Sequence, residues 1–291
     1  MNHLPASFGA LVFDCSAFAT NIDKPPSPWY NLWSVVKKGG GAVQFQDVFK
    51  RKEKKYMLTA QQYRRMREGI IAQGMRVDEF GLHTIASLYY DTPDYQLIQH
   101  SLEKPVYKEK LRLRAYGSQV LPDDTAYVEI KKKFKGVVYK RRIAAPLPEA
   151  TQGLREGRFD DTHGQIGREI NFFLQRYDLH PACWLGYERE AFYSENEDVR
   201  ITFDENIRFR LEDWDMTLPP EGTPLLDEGL YLMEVKIPFS LPLWLVNLMN
   251  ECGIHSRSFS KYGTVYMEHI HPRVPLQMPA IRKEHTYGQV F

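Results

Sequence analysis

The sequence predicts an α+β fold in which about eight antiparallel strands form a closed barrel with flanking helices. The first observation behind this prediction is a run of three basic strands, at residues 108–142, in which charged and apolar side chains alternate with the period of two that strands have. Arg112 and Arg114 share one face of the first strand, and leucines occupy the other. The second observation is that this alternation recurs at distant positions along the chain.

The charged faces of these strands carry mostly cations. The simpler interpretation is an antiparallel sheet with one solvated face, but such a face normally mixes both signs. A sheet with one charged and one apolar face can instead close with its charges inside and helices over the outside. Cations so close together repel each other by a few kcal/mol per pair at an effective dielectric constant of about 20, so we expect a polyanion and metal ions to fill the interior. The recurring patterns are Glu53-x-Lys55, Arg208-x-Arg210 and Glu234-x-Lys236.

The elements follow one another with recognisable boundaries. Thr59 and Gln62 have capping-box spacing and begin a helix after the first strand. Asp91-Thr92-Pro93 begins another helix, with Asp91 as its cap. The Asp204-Glu205 pair is read as a tight turn between two strands. Strands are predicted at residues 45–58, 84–90, 110–114, 127–133, 137–142, 182–193, 199–203, 206–211 and 231–237, and further helices lie at 146–177, 241–252 and 258–269.

The domain organisation follows from composition. Residues 1–43 contain Pro-rich and Gly-rich linker material and are expected to form a poorly ordered extension with a short helix near residues 30–37. Residues 44–271 form the predicted domain, and residues 272–291 are a tail without a clear pattern.

Composition limits the function. The formal net charge is +1, so the chain is not a general nucleic-acid binder, and its local basic clusters favour a focused anion site. Cys15, Cys183 and Cys252 are widely spaced, which indicates neither a disulfide framework nor a zinc site and favours the cytoplasm. No apolar run reaches the length of a membrane span, and no secretory signal is expected.

Motifs along the chain resemble those of a known family. They stand in the order seen in the VTC domain, the polyphosphate-polymerase branch of the triphosphate tunnel metalloenzymes, a CYTH-like superfamily. The resemblance covers residues 46–269. The motifs are Glu53-x-Lys55-Tyr56, Tyr89-Tyr90-Asp91-Thr92-Pro93, Leu111-Arg112-Leu113-Arg114-Ala115-Tyr116-Gly117, Val128-Glu129-Ile130-Lys131, Glu234-Val235-Lys236 and Ser260-Lys261-Tyr262-Gly263.

The resemblance implies a polyphosphate polymerase that transfers the γ-phosphoryl group of ATP to a polyphosphate chain inside a cationic tunnel. Two alternatives remain: a triphosphatase of the same fold, and a non-catalytic polyphosphate-binding module. Hydrolytic and cyclase relatives begin with E-x-E-x-K, whereas this chain has Arg51-x-Glu53-x-Lys55. The missing first glutamate favours the polymerase. A membrane partner that moves the product is conceivable, and its identity is unknown.

The candidate site residues are mostly cations. Arg112 and Arg114 are the strongest, because guanidinium forks match phosphate oxygens. Tyr56, Tyr89, Tyr90 and Tyr116 are read as core residues, because aromatic side chains are common in strands. The resemblance implies catalytic roles for Lys55, Lys131 and Lys261 as well. Further substrate-binding candidates are Lys133, Arg141, Arg189, Arg208, Lys236 and Ser260. The alternative for Lys133 and Arg141 is a solvated position, and the alternative for Arg189 is one half of a cross-strand ion pair.

Three glutamates are candidate metal ligands for Mn or Mg, which prefer carboxylate and phosphate oxygens. Glu234 is the best match to the family's metal-binding glutamate. Glu53 and Glu129 either bind metal or orient neighbouring lysines as ion pairs, and the sequence does not distinguish these roles.

Overall fold

The computed structural model describes residues 35–36, 44–45, 48–49, 52–135, 137–194 and 197–273. The chain divides into two units, Met1–Gln46 and Asp47–Phe291. In the first unit, strand β1 (Val35–Val36) pairs antiparallel with β2 (Gln44–Phe45). The helix predicted near residues 30–37 is therefore wrong at Val35–Val36. The rest of that prediction, and most of the C-terminal tail, lie outside the described residues.

The second unit is built on one antiparallel sheet of eleven strands. Nine of them are hydrogen-bonded in the order β3-β9-β8-β7-β6-β10-β11-β13-β4, while β5 pairs with β10 and β12 with β11. The α+β class and the antiparallel pairing are thus confirmed. The strands are β3 (Val48–Phe49), β4 (Lys52–Thr59), β5 (Arg76–Val77), β6 (His83–Asp91), β7 (Tyr107–Tyr116), β8 (Thr125–Phe134), β9 (Val137–Pro146), β10 (His180–Tyr193), β11 (Arg200–Arg210), β12 (Thr223–Pro224) and β13 (Leu230–Ile237).

The predicted closed barrel is wrong, because the two ends of the sheet are not hydrogen-bonded to each other in the described part of the chain. The end strand β3 is two residues long and pairs with β9, and the other end strand, β4, pairs with β13. The sheet nevertheless curls strongly. Glu53 on β4 lies 3.9 Å from Lys131 on β8, although five strands separate them and a flat sheet would hold them roughly 29 Å apart. The charged face is therefore the concave inner face of an open trough.

Helices cover the convex outer face, as predicted. Leu154 and Phe173 lie in the core cluster formed with Leu88 and Leu113 of the sheet. A second cluster packs the helical residues Met66 and Leu245 against the strands β4, β11 and β13. The helices are α1 (Ala60–Ala72), α2 (Gln96–Leu102), α3 (Leu147–Glu156), α4 (Gly164–Arg176), α5 (Leu243–Glu251) and α6 (Lys261–Val265). None of the helices in these described ranges is long and apolar enough to cross a membrane.

One end of the inner face is filled rather than open. Helix α6 places Tyr262 and Val265 against Ile85, Leu185 and Leu232, which face the interior of the trough. The charged side chains occupy the remainder of the inner face. Apolar packing therefore limits the space in which a ligand can lie.

At the start of helix α2, the predicted cap is confirmed and the predicted first residue is wrong. Asp91 is the predicted cap, since its Oδ1 accepts from the Leu97 amide at 2.8 Å and its Oδ2 from the Ile98 amide at 3.0 Å. Helix α2 begins only at Gln96, because Tyr95 adopts a left-handed conformation with φ of 59°. Pro93 therefore precedes the helix rather than lying in its first turn.

The capping box of α1 is formed as the sequence predicted. The Gln62 amide donates to Thr59 Oγ1 at 3.3 Å, and Gln62 Oε1 accepts from the Thr59 amide at 3.0 Å. Thr59→Ala is expected to destabilise the fold by about 1 kcal/mol, because it leaves an orphaned amide at the helix start. Urea unfolding monitored by circular dichroism measures this loss. Ser118→Ala, at an exposed loop position, controls for removal of a hydroxyl, and equal midpoints for wild type and Thr59→Ala would contradict the prediction.

Candidate functional site

Arg112 lies at the centre of the inner face and forms a buried ion pair with Glu129 on the neighbouring strand. Its Nε and Nη2 lie 2.8 and 2.7 Å from Glu129 Oε2. Arg112 Nη1 also donates to the Tyr89 hydroxyl at 3.1 Å. Burial alone would raise the pKa of Glu129, but Arg112 and Lys140 hold it well below its ordinary value. The ion pair therefore fixes the orientation of the Arg112 guanidinium. The Glu129 carboxylate neutralises Lys140 as well as Arg112.

Arg114 is held by hydroxyl groups instead of a carboxylate. Its Nε donates to Ser87 Oγ at 3.1 Å, and its Nη2 donates to the Tyr187 hydroxyl at 3.2 Å. The residue is 7% exposed. None of the described carboxylates forms an ion pair with Arg114, so its buried guanidinium remains available to an anionic ligand.

A second ion-pair network is centred on Asp204 and Glu234. Asp204 is fully buried, and its Oδ2 accepts from Arg189 Nη2 at 2.7 Å and from the Lys261 ammonium. Glu234 lies 3.1 Å from Lys55 and 3.6 Å from both Arg189 and Lys261. Burial would raise the pKa of Glu234, yet these cations lower it well below its ordinary value. Both carboxylates are therefore charged and hold three cations in place.

Lys55, on the edge strand β4, links Glu234 of this network to Glu53 on the same strand. Its Nζ lies 3.6 Å from Glu53, whose other oxygen lies 3.9 Å from Lys131. Burial disfavours the charged form of Lys55, but Glu234 and Glu53 outweigh it and raise the pKa. Lys55 is thus a permanent cation between two carboxylates. Glu53 acts as an ion-pair partner in this structure, and so does Glu129.

A protein-family model for the VTC domain matches residues 50–268. The chain belongs to the VTC domain family. The predicted family is therefore confirmed.

Solved structures that resemble the chain have low identity and low TM-scores. A proposed adenylate cyclase from Vibrio parahaemolyticus is 14% identical, with 75% of this chain and 98% of that chain covered and a TM-score of 0.44. A proposed adenylate cyclase from Bacillus halodurans is 12% identical over 74% and 96%, with a TM-score of 0.46. A protein from Hippeastrum, described as a proposed adenylyl cyclase with a dominant triphosphatase activity, is 14% identical over 74% and 94%, with a TM-score of 0.45. Comparison with curated proteins finds no match.

The VTC domain gathers most of the predicted site residues on one surface. Lys236 shares this face, since it pairs across the strands with Glu53. Lys133 has the same orientation at the exposed end of β8. Ser260 is the N-cap of α6, where its hydroxyl accepts from the Gly263 amide at 3.2 Å. Its role in substrate binding stays a prediction.

Two predicted site residues point the other way. Arg141 pairs in register with Ile130 of the outer core, and its Nε lies 3.1 Å from Glu169 on α4. Arg208 forms an ion pair with Glu188 on the outer face. A bulge in β11 causes this reversal. Glu205 pairs with Glu188 and Arg208 pairs with Gly186, so β11 has one more residue than β10 between these two pairs. The extra residue switches which face the following side chains occupy. The inner-face positions predicted for Arg141 and Arg208 are therefore wrong.

Several inner-face residues of this VTC domain were missed. Lys140 and Arg142 lie opposite Lys131 and Glu129 in the sheet register, and Lys140 Nζ is 2.5 Å from Glu129 Oε1. Lys110 lies opposite Lys131 on the neighbouring strand and shares the face of Arg112, although it is not among the predicted site residues. Asp204 was read as part of a turn, whereas β11 runs through it as one strand. Continuing the alternation from Thr202 to Asp204 would have found it.

Glu53 and Glu234 could bind a hard divalent cation only if the substrate supplied further oxygen ligands. Within residues 52–135, 137–194 and 197–273, no group of three or more His, Cys, Asp or Glu side chains converges as a metal site. Glu53 and Glu234, however, both lie within 3.6 Å of the Lys55 ammonium, so a cation already sits between two carboxylates. Magnesium commonly uses one or two carboxylates and takes its other ligands from substrate phosphates and water.

Proposed function

We propose that this VTC domain is a metal-dependent polyphosphate polymerase that uses ATP as its phosphoryl donor. The observation that carries the proposal is the concentration of cations, most of them buried or half-buried, on one concave face, together with membership of the family. Among the described residues of this face, cations outnumber carboxylates. The cations include Lys55, Lys108, Lys110, Arg112, Arg114, Lys131, Lys133, Lys140, Arg142, Arg189, Arg200, Lys236 and Lys261, and the carboxylates include Glu53, Glu129, Asp204 and Glu234.

The proposed reaction needs no protein nucleophile. A terminal oxygen of the polyphosphate chain forms a bond to the γ-phosphorus of ATP, and the bond from that phosphorus to the β–γ bridging oxygen breaks, which releases ADP. Catalysis of such a transfer is mostly positioning and charge stabilisation. Arg112 and Arg114 grip the phosphates from one wall, while Lys55, Lys131 and Lys261 act as point charges.

Glu234 and Glu53 are the residues that would hold Mn or Mg. When bound, the metal would neutralise negative charge on the phosphate oxygens, which the two carboxylates cannot do by themselves. Asp204 keeps Arg189 and Lys261 oriented toward the ligand space. The proposal places the protein in the cytoplasm, and the buried free thiols of Cys183 and Cys252 are compatible with a reducing compartment.

A product assay tests this function. The purified protein is incubated with ATP and Mn, products are separated on a gel stained for polyphosphate, and ADP and free phosphate are measured in parallel. A polyphosphate ladder with equivalent ADP supports the polymerase. Free phosphate without a ladder would assign the site to a triphosphatase, and ATP binding without either product would leave a polyphosphate-binding module. Arg112→Gln is expected to abolish the ladder, while Arg158→Gln, which removes an exposed arginine from the outer surface, retains it.

The affinity for tripolyphosphate is expected to fall as the pH rises from 7 to 9. Burial lowers the pKa of Lys110 and of Lys236 to about 8. Nearby lysines add to this lowering at Lys110, whereas Glu53 and Glu234 oppose it at Lys236. Below that pH both lysines are protonated and attract phosphate. Above it they must take up protons on binding, which costs up to roughly tenfold in affinity per pH unit and per lysine.

Calorimetric titrations at several pH values measure this dependence. Lys110→Arg should make the profile less steep, because arginine stays charged throughout the range and only Lys236 still titrates. Exposed Lys52→Arg is the matched control and should leave the slope unchanged. A wild-type affinity that is constant from pH 7 to 9 would contradict the prediction.

A further inference from the structure

The inner face of β7 changes in character along the strand. The alternation of side chains places on this face, in chain order, Lys108, Lys110, Arg112, Arg114 and Tyr116. The antiparallel neighbour β8 matches this order, since Lys131 lies opposite Lys110 and Tyr127 lies opposite Arg114. The trough therefore has a lysine end, at Lys108, Lys110, Lys131 and Lys133, and an aromatic end, at Tyr116 and Tyr127. The two arginines lie between these ends.

Four rings form a row at the aromatic end, which we call the aromatic collar: Phe80, His83, Tyr116 and Tyr127. The ring centroids of Phe80 and His83 are 5.7 Å apart, those of His83 and Tyr116 are 6.3 Å apart, and those of Tyr116 and Tyr127 are 5.7 Å apart. The guanidinium carbon of Arg142 lies 4.5 Å from the Tyr127 centroid. Phe80 is 48% exposed and the other three residues are half-buried, so solvent reaches the collar.

The loop that carries Phe80 is fixed to the trough by a buried carboxylate. Asp78 Oδ1 accepts from the Phe80 amide at 3.3 Å, and Asp78 Oδ2 lies 3.1 Å from Arg200 Nη2. Arg200 pairs in register with Lys236 on the inner face. Asp78 is itself buried, so this connection is shielded from water. The exposed ring of Phe80 is therefore held in place beside the trough.

The collar suits a flat aromatic group. Burial lowers the pKa of His83, although the Gly81 carbonyl and Asp78 oppose this effect, so its imidazole is neutral at neutral pH. Aromatic side chains stack on nucleobases, and such stacking tolerates any base because every base has a π-face. A phosphate chain has no apolar surface that these rings could cover. The lysine end therefore fits a polyphosphate, and the collar fits a different part of a ligand.

The spacing along β7 fits a nucleotide. Tyr116 is two residues from Arg114 and four residues from Arg112, or about 7 and about 13 Å at about 3.3 Å per residue. In a nucleoside triphosphate the ribose separates the base from the α-phosphate, and two more phosphate linkages lead to the γ-phosphate. A base at the collar would thus bring its phosphates to the two arginines.

We propose that the aromatic collar binds the base of the donor nucleoside triphosphate, whose phosphates run along β7 toward the lysine end. This inference rests on the proposed function, because it requires that the trough take a nucleoside triphosphate. It adds the orientation of the donor. The γ-phosphate points toward Lys110 and Lys131, and the acceptor chain occupies the lysine end and grows away from the collar.

The test is calorimetric titration of the full-length protein, with Mn, against two ligands. One is β,γ-imido-ATP, whose γ-phosphoryl group cannot be transferred, and the other is tripolyphosphate, which has no base. Phe80→Ala and Tyr116→Leu are expected to weaken binding of the nucleotide analogue at least about fivefold and to change tripolyphosphate affinity less than about twofold. Tyr116→Phe keeps the ring and should bind both ligands normally. Phe172→Ala, which removes a 64% exposed ring from α4, is the matched control.

The two ligands separate failure of the collar from failure of the polymerase. Unchanged affinity of Phe80→Ala and Tyr116→Leu for the nucleotide analogue would overturn the collar, even in a protein that makes polyphosphate. An equal loss of affinity for both ligands would also overturn it, because the rings would then shape the trough rather than contact the base. A selective loss for the nucleotide analogue in a protein that makes no polyphosphate would support the collar and refute only the polymerase.

Discussion

Replacing Glu234 by Gln is expected to reduce polyphosphate synthesis at least about hundredfold while leaving tripolyphosphate binding intact. The amide keeps the shape of the side chain but removes the charge that would hold the metal and that lies 3.1 Å from Lys55 and 3.6 Å from Lys261. Losing one preorganised electrostatic group at such a site typically costs 10²–10³ in rate, on the order of 3–4 kcal/mol. Anion binding persists because the surrounding cations are unchanged.

The measurement combines the gel assay with calorimetry of tripolyphosphate. Glu228→Gln is the matched control, since Glu228 is an exposed glutamate in the loop before β13. Full activity of Glu234→Gln would show that the metal assignment is wrong. Loss of both activity and binding would show instead that Glu234 is needed to build the anion site.

Asp204→Asn is expected to cause the largest loss of stability. Asp204 is fully buried and neutralises the buried Lys261 and the half-buried Arg189. Removing one partner of a buried ion pair costs about 3–5 kcal/mol, because the remaining charges are left uncompensated. For a domain of this size the melting temperature should fall by roughly 6–20 °C.

The dependence on pH provides a second check. Burial would raise the pKa of Asp204, but Arg189 and Lys261 lower it below its ordinary value of 3.8. Stability from such a group is present above the pKa of the unfolded chain and is lost as the pH falls through the folded pKa. Wild type and Asp204→Asn should therefore converge in acid. Asp123→Asn, at an exposed position, is the control, and equal melting temperatures of wild type and Asp204→Asn at neutral pH would refute the role of Asp204.

Local patterns predicted the parts of the site that depend on one strand at a time. Arg112 and Arg114 were found because alternation with Leu111 and Leu113 is a property of consecutive residues, and the leucines are indeed buried. The Thr59 capping box and the Asp91 cap were likewise predictable, since each involves neighbours within a few positions.

The errors concern features that no local pattern carries. Arg208 was misplaced because one extra residue near Asn206 switches the faces of β11, and Asp-Glu-Asn reads equally well as a turn. Asp204 owes its role to Lys261, which is 57 positions away in sequence. Closure of the barrel was predicted from side-chain charge, but it depends on hydrogen bonds between β4 and the opposite end of the sheet, which sequence alternation does not specify.

The acids of the trough have a consequence for anion selectivity. Glu53, Glu129, Asp204 and Glu234 are covalently tethered counterions, each within ion-pair distance of the cations that a ligand must contact. A tethered carboxylate competes with a dissolved anion for the same cation at a high effective concentration, commonly millimolar or above. A monovalent anion such as chloride can replace only one such contact at a time, whereas a chain of linked phosphates replaces several at once. We therefore expect the trough to select anions by valence, because linked phosphates can replace several tethered acids and a monovalent anion cannot.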